Sequence, residues 1–540
     1  MANPPAGQAT TADRERLLEA REEEAARAAS EAGAPGLAIE GSVSAPPQEF
    51  PCFAITDIDI DGVETLSAET VQRVVSPYAN TCMGQIAVDS ILQALTQAYL
   101  DEGLITSRAY LPEQDLSTGR LLIVVIEGRI EDVRFARVEG DEALPGPPLR
   151  FNTAFPTRVG DLLNLRDLEQ GIDQINRVPS TQANLDIAPG SEIGSSILNV
   201  VYGESDPVRL SFTLEADRKP DGYGQSASLG FEADNVVGVN DTFYLGLSGS
   251  ETSNTLSASL SFPLGYWTFT GQATYSESES LLTATSRLFE PTTSASITAD
   301  WLIHRDDRTK TRLTFALGRN DQERFVNGTA LAPQRLSTIE FGWQREIFGQ
   351  GLYFSPRMSL TFGRLMDDQS QVTPGSGPQI DYRLFKAGFT SRRSWENGAS
   401  LFLSLSTQAA DGPLFSAEKI SIGGSGSLRG INGESVSGDR GFTARSELSL
   451  PVAAWAERNG SAALSAFAAR GAFYTFLDLG AVRDLEGADW DYGAGLGIGL
   501  DYQVHETTSL RFYLGAPLTR SENLQTGGLE IGLSATVKVF

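Results

Sequence analysis

The chain has 540 residues and a formal net charge of −27, from 69 Asp and Glu against 42 Lys and Arg. That balance argues against a phosphate-binding surface, because nucleic-acid affinity rests on clustered Lys and Arg, so no nucleic-acid partner is expected. The longest wholly apolar run is Leu121 to Ile126, far short of the ~20 residues of a membrane helix, so a membrane could be crossed only by strands.

The N-terminus, Met1-Ala-Asn-Pro-Pro, leads into acidic residues with no cationic segment and no apolar core, so it carries no export signal. Either the numbering starts at a mature form with an added Met, or the protein is not exported; the expectation is the first. Residues 13 to 30 are rich in Ala, Glu and Arg with Leu17 and Leu18, which predicts a helix within an N-terminal region 1–30. Its charges surround it almost completely, which suits solvent or a water-filled lumen better than a core. Residues 31–50 carry Pro35, Pro46 and Pro47 among Gly, Ala and Ser, and read as a flexible linker.

Residues 51–128 open with a strand-like stretch through Phe53, Ile55, Ile58 and Ile60. A helix is predicted from Ser67, with that Ser as its cap, and a longer one through Ile86, Leu92, Leu95 and Tyr99. Strands at Arg108-Ala-Tyr-Leu and Leu121 to Ile126 complete the unit. Residues 129–205 repeat the order, with a strand through Val133, Phe135 and Val138, a helix around Leu162 to Ile175, and strands at Asn184–Ile187 and Ile197–Tyr202. Two tandem units of strand, helix, helix, strand, strand are expected. Cys52 and Cys82 are the only cysteines and flank what reads as a single small domain. They are either a buried thiol pair or a bridge, and export favours the bridge.

From Val208 onward the chain becomes repeated alternating strands with turn chemistry between them. Tyr492, Ala494, Leu496, Ile498, Leu500 and Tyr502 share one face, while Gly493, Gly495, Gly497, Gly499 and Asp501 share the other. A greasy outside around a small or polar inside points to an outer-membrane barrel. Residues 206–540 at roughly 20 per strand and connection give on the order of sixteen strands. In one strand Leu477, Leu479 and Ala481 alternate with Phe476, Asp478 and Gly480; if the first set faces lipid, Asp478 faces the lumen. Arg445 and Glu447 are read as further lumen-facing polar residues. In the last strand the apolar set is Leu529, Ile531, Leu533, Ala535, Val537 and Val539, so Phe540 falls out of phase.

Catalysis finds little support. His304 and His505 are the only histidines and belong to no metal-ligand spacing, so no metal and no cofactor are expected. The run Gly423-Gly-Ser-Gly-Ser427 lacks the Gly-Lys-Ser/Thr ending of a phosphate loop. The chain does not read as an enzyme.

In order along the chain come Cys52-Phe-Ala-Ile, Ala98-Tyr-Leu-Asp-Glu-Gly103 leading to Arg108-Ala-Tyr-Leu-Pro112, and Val125-Ile-Glu-Gly-Arg129. Further on are Gly238-Val-Asn-Asp-Thr242, Phe262-Pro-Leu-Gly265, Leu428-Arg429-Gly430, Gly438-Asp-Arg-Gly-Phe442 and Phe476-x-Asp478-x-Gly480. Together they resemble the transporters of two-partner secretion systems, the hemolysin and filamentous-hemagglutinin secretion family of the POTRA-barrel superfamily. The resemblance implies an N-terminal plug helix, two periplasmic POTRA domains and a sixteen-strand pore in the outer membrane. It also implies a secreted, unfolded exoprotein as partner, with lipid around the barrel and the barrel-assembly machinery inserting it.

The resemblance matches Leu428, Arg429 and Gly430 to the tip of an inward loop, about 413–440, that contacts the strand bearing Phe476, Asp478 and Gly480. Arg429 is expected to grip Asp478 bidentately. Candidate exoprotein contacts lie on the second POTRA unit at Leu162, Leu165, Leu168, Ile172, Ile175, Leu185 and Ile187, unless these simply form its core. Strand addition to a sheet edge would supply the binding mode, and folding of the exoprotein outside would drive transport. Two other readings stay open: a barrel-assembly factor, which would usually carry more than two periplasmic repeats, and a passive porin, which would carry none.

Overall fold

A computed structural model describes residues 23, 25–30, 50, 52–139, 142–219, 222–283, 285–366, 378–424, 426–431, 435–452, 470–487, 489–524 and 528–539. Glu23 and residues 25–30 are helical (α1); the rest of the expected 13–30 helix, the 31–49 linker and Phe540 lie outside the described residues.

The first unit runs β1 (Phe53–Ile55), β2 (Asp57–Asp61), α2 (Ala68–Val75), β3 (Thr81–Met83), α3 (Gln85–Asp101), β4 (Arg108–Tyr110) and β5 (Arg120–Ile126). The single strand expected through Phe53 to Ile60 is two strands. It breaks at Thr56, whose backbone N donates to Gly119 O, and β1 leaves to pair with β3 in the register Ala54↔Cys82. That pairing brings the Cys52 and Cys82 Cα atoms to 5.4 Å, and the two are bridged. Ser67 caps α2 by accepting Thr70 N, as its sequence position predicts. One face of α3 packs on the sheet β2-β5-β4, burying Ile91, Leu95, Leu121 and Ile123 completely, worth about 1.5–3 kcal/mol per side chain.

The second unit follows without a linker: β6 (Arg129–Glu139), β7 (Glu142–Pro145), α4 (Pro148–Ala154), α5 (Leu165–Asn176), β8 (Thr181–Pro189) and β9 (Ser195–Glu204), in a sheet of order β7-β6-β9-β8. The helix expected from Leu162 starts at Leu165, because Asn164 caps it by accepting Arg166 N. Leu162 instead bridges to Arg129. The short elements β7 and α4 were not located by periodicity, each being too brief to show one.

The third part is a closed barrel of 16 antiparallel strands, in which the first, Val208–Lys219, pairs with the last, Glu530–Val539, from Leu210↔Val539 to Asp217↔Gly532. A sheet closed on itself leaves no edge, which is what a bilayer requires. Its outside is apolar, with Ile297, Leu317 and Phe341 exposed. An aromatic run crosses neighbouring strands there: Trp267 on Trp301 at 5.3 Å, Phe315 on Phe341 at 5.8 Å, and Phe341 on Phe362 at 6.4 Å between ring centres. Water would make such a belt costly, whereas lipid accommodates it. No helix among the described residues is long and apolar enough to cross a membrane.

Candidate functional site

The connection between strands Ser400–Ala410 and Arg440–Pro451 leaves the barrel end opposite the two units and turns back into the lumen as a hairpin of strands Ile420–Ile422 and Val436–Gly438. Asp439, at the end of this loop, fastens it to its own start and to the next turn: its carboxylate accepts Leu414 N at 2.8 Å and Leu485 N, beyond the strand Gly471–Arg483, at 2.7 Å, with Lys419 Nζ at 3.6 Å. Toward the tip Ser427 Oγ accepts Gly423 N at 2.8 Å, and Gly430 takes φ +90°, a left-handed backbone suited to glycine. Leu428 is fully buried among Ile420, Ile422, Ile431, Val482 and Leu524, an apolar knot inside the barrel.

That knot presents Arg429 to the wall. Its Nε donates to Asp478 Oδ2 at 2.8 Å and its Nη2 to Oδ1 at 3.0 Å, a bidentate fork, and its backbone N reaches Oδ2 at 3.1 Å. The third guanidinium nitrogen, Nη1, donates to Glu447 Oε2 at 2.6 Å, and the group lies 4.1 Å from the Phe476 ring centre. Arg429 is 4% exposed and Asp478 0%. Removing two charges from water costs several kcal/mol per ion, so such a pair contributes position more than net stability. A two-bond fork can hold a loop in one place only.

More distant groups complete the seat. Glu447 Oε2 also accepts Arg511 Nη2 at 2.5 Å; Arg511 Nε donates to the Tyr474 hydroxyl at 3.1 Å and lies 3.5 Å from Asp501. Glu530, on the last strand, accepts Gly430 N at 2.5 Å and the Tyr513 hydroxyl at 2.7 Å. Arg445 stands opposite Asp478 in register and on the same face as Glu447. The glycine face read from the sequence is the surface on which the tip rests. A Cβ at Gly495 would lie 1.8 Å from Arg429 O, one at Gly493 2.6 Å from Ile431, and one at Gly480 2.9 Å from Ile422.

The sequence-derived set Leu428, Arg429, Gly430, Phe476, Asp478, Gly480, Arg445 and Glu447 therefore converges on one site. Sequence reasoning missed Arg511, Tyr474, Tyr513 and Glu530. The signal was present for two of them: Arg511 alternates with Leu510 and Phe512, and Glu530 is a carboxylate between Leu529 and Ile531 in an otherwise apolar alternation.

The second unit's candidates fall elsewhere. Leu168 and Ile175 are buried in its core with Phe151, Phe155 and Leu198, while Ile172, Leu185 and Ile187 pack against that core; Leu165 is buried at the helix start, where its backbone N donates to Gly103 O of the first unit, and Leu162 packs at the junction with that unit. The apolar face of α5 is thus turned inward, and its other face is docked to barrel turns. Gln170 and Gln174 donate to Gly265 O at 3.1 and 3.0 Å, Tyr266 hydrogen-bonds Asp167, and Arg305 Nε donates to Glu169 at 3.1 Å. Burial pushes the Asp167 carboxyl up, only partly offset by the Tyr266 hydroxyl. The segments Gly238–Thr242 and Phe262–Gly265 are these docking turns: Arg177 donates to Asn240 O at 2.7 Å and Gly265 N to Thr153 O at 2.8 Å. Only the outer edge of β8 is left from the candidate surface, since among the described residues β8 pairs with β9 alone.

At the mouth nearest these domains α1 lies inside the barrel. Ala26 is fully buried against Phe348, Tyr353 and Phe402, and Ser30 Oγ is 3.4 Å from Ser394 Oγ.

Residues 194–502 match the model of the haemolysin secretion/activation proteins ShlB/FhaC/HecB; residues 53–128 match the ShlB-type POTRA domain and 129–189 a further POTRA domain. The chain belongs to this haemolysin secretion/activation family. It is 32% identical over 445 residues to the outer membrane transporter CdiB-2 of Burkholderia pseudomallei, covering 75% of this chain and 74% of that one. It is 27% identical over 434 residues to the hemolysin transporter HpmB of Proteus mirabilis, covering 74% and 72%. Its fold matches CdiB from Escherichia coli at a TM-score of 0.83 with 24% identity, over 100% of both chains. The barrel and the two POTRA domains place it in the outer membrane with those domains in the periplasm, as a transporter for a secreted partner protein. Two repeats beneath a family-matched barrel set aside the assembly-factor and porin readings.

Proposed function

We propose that the partner is an unfolded exoprotein, captured at the free edge of β8 by strand addition and passed through the lumen once α1 and the inward loop tip withdraw. The observation that carries this reading is the lumen itself, which α1 and the Arg429 tip both occupy. A partner strand on β8 would satisfy backbone groups that otherwise face water, with alternate side chains set by the strand's period. Folding at the cell surface then removes the exoprotein from the transport equilibrium and supplies direction. Lipid contact along the aromatic belt and insertion by the barrel-assembly machinery belong to the same reading, and transport requires no catalytic step from this chain.

The test is deletion of residues 1–30 and measurement of conductance in planar bilayers. A plug held at the periplasmic mouth makes the deleted form conduct more. Unchanged conductance removes α1 as a plug. For the partner, co-expression with a large repeat-rich exoprotein encoded beside this chain is expected to give secretion that fails when Pro is placed in β8 at Leu185.

A further inference from the structure

We propose that Glu530 is a positioning residue that ties the inward loop tip to the barrel's last strand, so that the seated tip braces one end of the seam between last strand and first. The proposal rests on the reading that the tip withdraws during transport, and adds that withdrawal loosens this seam.

The ladder that closes the barrel stops short of the tip. The first strand, Val208–Lys219, and the last, Glu530–Val539, pair from Leu210↔Val539 to Asp217↔Gly532, which leaves Ile531 and Glu530 above it. There Arg218 and Lys219 of the first strand pair with Tyr223 and Gly222 on their other side. The last strand stays paired with Thr508–Arg520 as far as Gly515↔Glu530. This is the end of the strand opposite the POTRA domains, and it is the loop tip that meets it.

Glu530 carries the contact. Its side chain is fully buried, Oε2 accepts Gly430 N at 2.5 Å, and Oε1 accepts the Tyr513 hydroxyl at 2.7 Å. The tip backbone lies flat on the neighbouring strand: a Cβ at Gly430 would meet Ala516 O at 2.8 Å, and one at Gly515 would meet Gly430 Cα at 2.9 Å. Tyr513 is fixed from two sides, because its ring covers Gly532, where a Cβ would lie 2.0 Å from it, and stands edge-on to Phe476 at 5.8 Å. While the tip is seated, fraying of the strand end must break a charge-assisted bond to Gly430 and drag a buried carboxylate from its seat. After withdrawal, water takes the donor's place and hydrates Glu530 without holding the strand. The free energy of local opening at this end of the seam falls accordingly.

Hydrogen exchange of the whole, membrane-inserted protein, corrected for intrinsic rates, reads this opening at residues 531–534 against 536–539 at the other end of the strand. Glu530→Ala is expected to speed exchange at 531–534 about tenfold, the scale of one charge-assisted bond, and to leave 536–539 unchanged. Arg429→Ala, which unseats the tip, gives the same acceleration, and Glu530→Ala adds nothing to it. A Glu530 that only shaped its own strand through Tyr513 would add its full effect there. Glu530→Gln keeps an oxygen for Gly430 N and restores part of the protection. Unchanged exchange in an inserted Glu530→Ala barrel overturns the proposal, as does full additivity in an Arg429→Ala barrel whose raised conductance shows that the tip has left. Should Glu530→Ala fail to insert, Gly430→Pro carries the test, since proline has no N–H to offer, and unchanged exchange at 531–534 again overturns the brace. Conductance that does not rise in Arg429→Ala is a separate result, which strikes the withdrawal reading and leaves Glu530→Ala to decide the brace.

Discussion

Asp173 of the second POTRA domain lies 2.5 Å from Arg305 and 2.5 Å from Lys310 of the barrel, so one carboxylate joins the periplasmic arm to the ends of two barrel strands. Burial pushes the Asp173 carboxyl up, but Lys310 and Arg305 more than offset it and hold it below its ordinary value. A depressed carboxylate gives stability that is present above its unfolded pKa of about 3.9 and is lost as pH falls through the folded value. The protection of α5 amides, as exchange relative to the intrinsic rate at each pH, is therefore expected to stay flat from neutral pH down to about 5 and to fall only below about 4. The Asp173 side chain is 36% exposed, so Asp173→Asn is expected to cost only about 1–2 kcal/mol of docking. Arg305, at 2%, is expected to cost about 3 kcal/mol when replaced by Ala. Equal protection of α5 at pH 7 and pH 3.5, after correction for the intrinsic rates, would remove Asp173 from this role.

The Cys52–Cys82 bridge spans a sequence separation of 30 and ties β1 to β3 beside a small core. In the chain-entropy model its loss costs about 3–4 kcal/mol. Reduction of the full chain is expected to expose β1 and α3 to proteolysis while the barrel remains folded. Protection unchanged by reductant would show that the core alone holds this domain.

Glycines that receive the loop tip make a third test. At Gly495 an added Cβ would meet the Arg429 carbonyl at 1.8 Å, whereas at Gly271 nothing lies within 4 Å. Gly495→Ala is expected to insert normally yet leak, displacing the tip at a cost of about 1–3 kcal/mol. Gly271→Ala is the matched control. Sensitivity of cells to a large, normally excluded antibiotic reads both, and equal sensitivity of the two variants would show that the tip tolerates displacement.

Most of the architecture was legible because alternation is a local property. Tyr492, Leu496 and Ile498 do face out and Gly493, Gly495 and Gly497 in, as the period of two requires. The Arg429–Asp478 contact needed more, since 49 residues separate the pair and only the resemblance joined them. Ambiguity persisted where one pattern serves two purposes. Leu165, Leu168 and Ile175 have the spacing of an apolar helix face whether that face meets a partner or its own sheet, and burial assigns it to the sheet. The polar side of α5 carried the docking information, but contacts such as Gln174 to Gly265 join distant segments and leave no periodic trace.

The loop anchor gives the last prediction. Arg429 holds Asp478 with two nitrogens and Glu447 with the third, so Arg429→Ala strips both carboxylates of a partner at once, while Asp478→Ala leaves Arg429 on Glu447. Both variants are expected to insert into the outer membrane and to secrete poorly, with Arg429→Ala the more severe. Arg429→Lys should also fail, because an ammonium cannot supply the planar fork. Removing two residues that act through one contact is not additive, and a coupling of about 1–3 kcal/mol is expected between positions 429 and 478. The double variant is therefore no worse than Arg429→Ala alone, measured as exoprotein in the medium per barrel in the membrane. Additive losses, or full secretion by Arg429→Ala, would show that the loop is held by Leu428 and its apolar neighbours and that the ion pair has no part in transport.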